Sequence, residues 1–190
     1  MYSEEETGIK SNRSNYIMKI ICHGGAGHTP KVQDGVDRAA EEGWKILKNT
    51  DNALLAATAA TIVMEDDFRF NAGTGSCLRD DGRVQNDAAV ATSDGKIGAI
   101  TNLQDFKNPV LVARELLPEF VTMLAGEGAI QFALEKGFKK TKVAGLTGES
   151  DVLTGVAENI IVGQPVHSEY FSKRKFAIAC KLIGWKGTFH

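Results

Sequence analysis

The stretch NALLAATAATIVME, residues 52–65, limits the fold more than any other feature of the chain. It is apolar on nearly every side. As a helix it has no wet face to turn outward and must be buried between other layers. Thr50 or Asp51 is the expected cap at its start. A chain that hides such a helix has to be layered, and 190 residues suffice to do so around one full core.

The flanking sequence says which layers. Ile17 to Cys22 reads as a short buried strand that runs into His23-Gly24-Gly25-Ala26-Gly27. Val36, Ala39, Ala40, Gly43, Trp44 and Leu47 recur at helical spacing opposite Asp37, Arg38, Glu41 and Glu42, which predicts an amphipathic helix. Asp81-Gly82 and Asp94-Gly95 are hairpin signals around a strand over Val84 to Thr92, with a second strand over Lys96 to Leu103. Asn108-Pro109 starts a short helix, with the asparagine as cap, that stops at Pro118. FVTML is strand-like, and GEGAIQFALEKG is a further helix ended by Gly137. The order β, α, α, β, β, α, β, α predicts an α/β (α+β) layered domain with hairpins. That domain is expected over 18–140, behind a disordered tail over 1–17. Residues 141–190 read as a linker and an atypical C-terminal segment, with a strand-like ENIIVGQPV and a basic stretch to which no element is assigned.

Several function classes drop out on composition. A net charge of −2 leaves no basic excess to neutralise phosphates, so neither nucleic acid nor an anionic membrane is an expected partner. No apolar run approaches the ~20 residues of a membrane helix. The N-terminus is polar, without the apolar core of a signal peptide. Three widely spaced cysteines make no disulfide framework. A cytoplasmic protein is expected.

The residues capable of chemistry each have a plain alternative. The His23 glycine turn could face a ligand or only shape the backbone. It fails as a dinucleotide fingerprint because Pro30 stands where the third glycine is needed, and no P-loop ending follows it. His23 and His28 have no companions at zinc-ligand spacing. Asp66, Asp67, Asp80, Asp81 and Asp87 could form an acid–base or metal pair. The favoured reading is hairpin chemistry at Asp80-Asp81-Gly82 and a solvated helix end at Glu65 to Asp67. Cys22 reads as an inert core thiol, and no serine sits in a nucleophile elbow. Spacing alone names no function.

Taken together, HGGAG, MEDDFRFNAGTGS, DGRVQNDAAV, GAITNLQDFKNPVLVAR and LAGEGAIQFALEKG resemble successive blocks of the plant-type asparaginase and isoaspartyl aminopeptidase family, over roughly Met18 to Gly137. The resemblance implies part of a four-layer αββα sandwich of the N-terminal-nucleophile hydrolases. In such proteins a precursor cuts itself before a threonine, and the freed threonine attacks an amide with its own α-amine as base. The resemblance further implies that the glycine-rich stretch wraps a structural sodium ion through the backbone carbonyls of Met64, Glu65, Asp67, Phe70, Ala72 and Thr74. Asn71 would face the nucleophile region, and His23, Gly24, Gly25 and Gly27 would line the back of the site. Phe68 departs from the family, which usually has proline there.

The family's nucleophile-bearing segments, Thr-Val-Gly-Ala-Val, Ser-Thr-Gly-Gly and Gly-Arg-Val-Gly-Asp-Ser, are not found in this sequence. Thr154 stands in different spacing, and only Phe189 and His190 follow Thr188. LTGVAENIIVGQP is similar to a segment of the largest RNA polymerase subunit, a single block that points to a composite C-terminal part. The expectation is therefore an α-subunit-like chain with no catalytic residue of its own and no cofactor beyond sodium, inactive alone. A β-subunit-like chain or a second copy would complete the sandwich, and asparagine or an isoaspartyl dipeptide would be the substrate only then. The alternatives are a non-catalytic binding or regulatory module on the same half-fold, and a nucleotide-binding α/β protein using the His23 turn.

Overall fold

The computed structural model describes residues 18–25, 30–79, 81–143, 158–163 and 177–181, the last two ranges as backbone strands only. β1 (Lys19–Cys22) is followed by α1 (Gln33–Thr50) and α2 (Ala53–Asp66), then by β2 (Asn86–Thr92) and β3 (Ile97–Leu103). Next come α3 (Pro109–Glu115), β4 (Met123–Ala125), α4 (Gly126–Glu135), β5 (Glu158–Gly163) and β6 (Ala177–Lys181). Short 3-10 turns occupy Pro30–Val32 and Gly73–Gly75. The six strands form one mixed sheet in the order β1-β5-β6-β2-β3-β4. Among the described residues only the β3–β4 pair is parallel. The fold is α+β, as the residue pattern predicts.

Period-two alternation decides which face is covered. Ile20 and Val90 pack among Ala39, Leu47, Ala56, Ala57, Ala60 and Met64 of α1 and α2. Ala88 and Ile100 pack among Val112, Ala113 and Leu116 of α3 and Ala129, Ile130 and Ala133 of α4. Among the described residues the four helices thus lie on one face of the sheet, as a helical layer on a strand layer. On the other face Ile21, Ile97 and Met123 are 59%, 51% and 56% exposed.

Several element ends differ from the sequence expectations for local reasons. The cap of α2 is Asn52, whose side chain accepts from the Leu55 N–H at 3.0 Å. Thr50 instead donates to the Ile46 carbonyl, and Asp51 takes a left-handed φ of 51° to end α1. A two-residue link leaves only Asn52 with the extended backbone that an N-cap needs. Asn108 does not cap α3 either: its Nδ2 donates to Asp66 Oδ1 at 2.9 Å, and Glu65 takes over the helix start.

Of FVTML only the end is strand, and Phe120 is fully exposed. Asp94-Gly95 does turn β2 into β3, with the Thr92 N–H bonded to the Lys96 carbonyl at 3.0 Å. Asp81-Gly82 closes only a tight turn, Arg79 N–H to Arg83 carbonyl at 2.9 Å, ahead of β2. The strand-like ENIIVGQPV contributes β5, and the unassigned basic stretch contributes β6. Both enter the middle of the sheet, between β1 and β2.

Candidate functional site

The strand registers gather the candidate residues at one end of the sheet. Cys22 pairs with Ile160, so β1 finishes where β5 starts. Glu158 pairs with Lys181, Ala89 with Cys180 and Asn86 with Leu103, so β6 and β3 also finish there and β2 starts there. The His23 turn leaves β1 at this end. The end of α2 reaches it too, because Phe70 just beyond that helix lies against Gly24.

Residues 67–76 form a curl closed by its own backbone. Phe70 N–H donates to the Asp67 carbonyl at 3.0 Å, Ala72 N–H to Phe70 at 2.7 Å, and Gly75 N–H to Ala72 at 3.0 Å. The carbonyls of Phe68 and Phe70 face Gly75 so closely that a Cβ there would lie 2.3 and 2.1 Å from them. Only glycine fits. Asn71 Oδ1 accepts from the Cys77 N–H at 2.9 Å, which ties the middle of the curl to the residue just after it. The buried Ser76 hydroxyl donates to Asn86 Oδ1 at 2.8 Å, which fixes the curl to the first residue of β2.

Four charged side chains clamp the entrance of the curl. Arg69 donates to both oxygens of Asp34 at 2.8 Å. It also donates from Nε to Asp67 Oδ1 at 2.9 Å and from NH2 to Asp67 Oδ2 at 2.6 Å. Arg38 reaches Asp67 Oδ2 at 2.7 Å. These fork-shaped contacts join α1 to the curl. The Arg69 guanidinium holds the carboxyls of Asp34 and Asp67 below the usual carboxylate range, against a smaller opposing effect of desolvation. An open recess of about 600 Å³ lies beside this quartet, walled also by Val63, Asp66 and Phe68.

A family model described as asparaginase matches residues 16–153. The chain belongs to the asparaginase family. It is 43% identical over 130 residues to a plant-type L-asparaginase of Pyrococcus abyssi, covering 64% of this chain and 42% of that protein. It is 43% identical over 131 residues to the plant-type L-asparaginase of Thermococcus kodakarensis, with the same two shares. It is 36% identical over 140 residues to the isoaspartyl peptidase/L-asparaginase of Mus musculus, covering 68% of this chain and 42% of that protein. The chain thus spans about two fifths of the length of these relatives.

Within this asparaginase-family chain, His23, Gly24, Gly25 and Asn71 are brought to one sheet end, while Gly27 lies outside the described residues. His23 Nδ1 accepts from the Gly25 N–H at 3.0 Å, so the imidazole braces the turn. A Cβ on Gly24 would meet Val36 and Phe70 at 2.7 and 2.8 Å, so this glycine serves close packing and leaves no space there for a phosphate. The expected solvated helix end at Glu65 to Asp67 is corrected. Glu65 is fully buried, and the Asp67 side chain is 9% exposed. Burial is tolerated because Glu65 Oε1 accepts from the Val110 N–H at 3.0 Å and Asp67 meets two arginines. Burial also pushes the Cys22 thiol up to about 11, in keeping with an inert core thiol.

Sequence reasoning passed over Asp34, Arg38, Arg69 and Asn86. Arg69 and Asp34 are 35 residues apart and carry no shared local pattern, so only the fold pairs them. Thr154 and Thr188, the threonines weighed as nucleophiles, lie outside the described residues, as does Asp80.

Proposed function

We propose that this chain is the α-subunit-like part of an asparaginase/isoaspartyl-peptidase-type hydrolase that cleaves the side-chain amide of asparagine or the β-linked bond of an isoaspartyl dipeptide. One observation carries the reading. The His23 turn, the curl and the ends of five strands meet at one end of the sheet, where the bonds His23–Gly25, Asn71–Cys77 and Ser76–Asn86 shape the backbone. The nucleophile comes from a completing β-subunit-like chain. A threonine hydroxyl attacks the amide carbonyl and passes its proton to the threonine's own α-amine, which hands it to the departing ammonia or product amine; water then releases the acyl group and restores the hydroxyl. The sheet face bearing Ile21, Ile97 and Met123 is where that chain would seat its own strands.

The curl is suited to a structural sodium ion. Among the described residues no three His, Cys, Asp or Glu side chains gather to hold a metal, so a cation at the curl would be held by carbonyls. Phe70 and Phe68 present theirs to Gly75, and Glu65 presents its own beside Gly73, where a Cβ would lie 2.4 Å from it. A carbonyl already accepting one hydrogen bond keeps a second lone pair for a hard cation. Met64, Asp67, Ala72 and Thr74 complete the proposed set. The cytoplasm fits a chain whose described cysteines, Cys22 and Cys77, are free thiols. Among the described residues no helix is long and apolar enough to cross a membrane.

The test is hydrolysis of L-asparagine and β-aspartyl-leucine, followed by ammonia and leucine release. The chain alone should give none, and mixing it with the C-terminal portion of its Pyrococcus abyssi relative should give both. Turnover by the chain alone, or none in the mixture despite complex formation, would refute the proposal.

A further inference from the structure

The bonds among residues 67–76 close the curl but do not aim it. Beyond them, the Asp67 N–H reaches the Met64 carbonyl of α2 at 3.3 Å and the buried Phe70 ring packs against Gly24 and Gly35, so the entrance is held by α2, by packing and by charge. Two side-chain ties reach outside at the two ends: Ser76 to Asn86 at the exit, and Arg69 with Arg38 at the entrance. Arg69 differs from Arg38 in kind. Its guanidinium lies across both carboxylates, with three contacts to Asp67 and two to Asp34, whereas Arg38 reaches Asp67 once at 2.7 Å and Asp34 only at 3.6 Å. A planar fork held on both sides fixes direction as well as distance, which a lysine ammonium cannot do. Arg69 also stands between Phe68 and Phe70, the two residues whose carbonyls face Gly75.

We propose that Arg69 is the positioning residue of the curl: bridging Asp67 to Asp34 on α1, it aims the Phe68 and Phe70 carbonyls at the Gly75 position. Its bearing on a cation rests on the sodium reading above; its bearing on curl order does not. The backbone offers an independent way to supply the same restraint. Asp67 has φ −90° and ψ 110°, the extended conformation favoured before a proline. A proline at 68 would stiffen the entrance without any charge.

Amide hydrogen exchange separates the possibilities. In Arg69→Leu the amides of Phe70, Ala72 and Gly75 should exchange about tenfold faster. The amides of Ile130 and Ala133 in α4 serve as the reference and should not change. Adding Phe68→Pro to Arg69→Leu should restore the protection. Thermal shift in sodium chloride against choline chloride is read on the same proteins, and Arg69→Leu should lose the sodium response of the wild type. Unchanged exchange in Arg69→Leu, equal acceleration in α4, or no rescue by Phe68→Pro would overturn the proposal. A wild type indifferent to sodium overturns the sodium reading alone, because the exchange result needs no cation.

Discussion

Glu65 ties the last turn of α2 to the first turn of α3, and removing it tests whether that contact anchors α3. The residue is fully buried, and its Oε1 accepts from the Val110 N–H at 3.0 Å, the position an N-cap side chain would otherwise fill. In Glu65→Ala that N–H is left buried without its acceptor, at a cost of about 1–3 kcal/mol. The hollow left by the shortened side chain adds roughly 0.8 kcal/mol for each methylene no longer packed. A total near 3 kcal/mol follows, and for a chain of this length it lowers Tm by roughly 6–12 °C.

Glu65→Gln keeps an oxygen of the same reach and nearly the same volume, so it should cost about 1 kcal/mol, the lower end for a hydrogen bond that loses its charge. Urea unfolding followed by circular dichroism measures both. Equal losses for the two variants, or less than about 0.5 kcal/mol for alanine, would mean that the Val110 contact does not anchor α3 and that the corrected capping scheme is wrong.

Phe68→Pro in the otherwise unaltered chain should stabilise it by about 0.4–1 kcal/mol, since Asp67 already holds a pre-proline backbone; a loss in urea unfolding would show that the Phe68 N–H or ring is needed. Gly75→Ala and Gly73→Ala should each cost more than about 2 kcal/mol in the same assay, because a Cβ meets carbonyls at 2.1 and 2.4 Å, and Gly73 also has φ +50°. Equality of either with wild type would refute the described curl. The lowered pKa values of Asp34 and Asp67 set a pH window: their contribution is fully present above the ordinary aspartate value of about 3.9 and is lost as pH falls through their lower folded values. Arg38 and Arg69 stay charged throughout, and Asp66 pairs separately with Lys107. Protection of the curl amides should therefore hold down to about pH 4 and fall below it, while constant protection to pH 2 would contradict the ion clamp.

Legibility in the sequence followed the range of each interaction. Helices α1, α2 and α4 and the Asp94-Gly95 hairpin were readable because their signals are periodic or confined to a few neighbouring residues. Caps were misread at Asn52 and Asn108 because two or three polar residues compete within one turn, and the choice rests on backbone angles and on Glu65, more than forty residues from Val110. The curl was legible as a glycine-rich loop and, by resemblance, as part of a site. Its clamp was not, since Asp34 and Arg38 look like ordinary wet residues at the start of an amphipathic helix until the fold sets Arg69 against them. The basic stretch that yields β6 has no alternation strong enough to separate a strand from a linker.

The register of the inserted strands bears on where chemistry can occur. β5 runs antiparallel to β1, so its first residue, Glu158, lies at the end where the His23 turn leaves the sheet. β6 then ends, and β2 begins, on that same side, with Asn86 already holding Ser76 of the curl. The opposite end carries the Asp94-Gly95 hairpin, exposed and held by its own turn bonds. A segment joining the sheet on the free face therefore finds, at the His23 end, the braced turn and the carbonyls that face Gly75. The complementation assay and the curl variants both probe that end of the molecule.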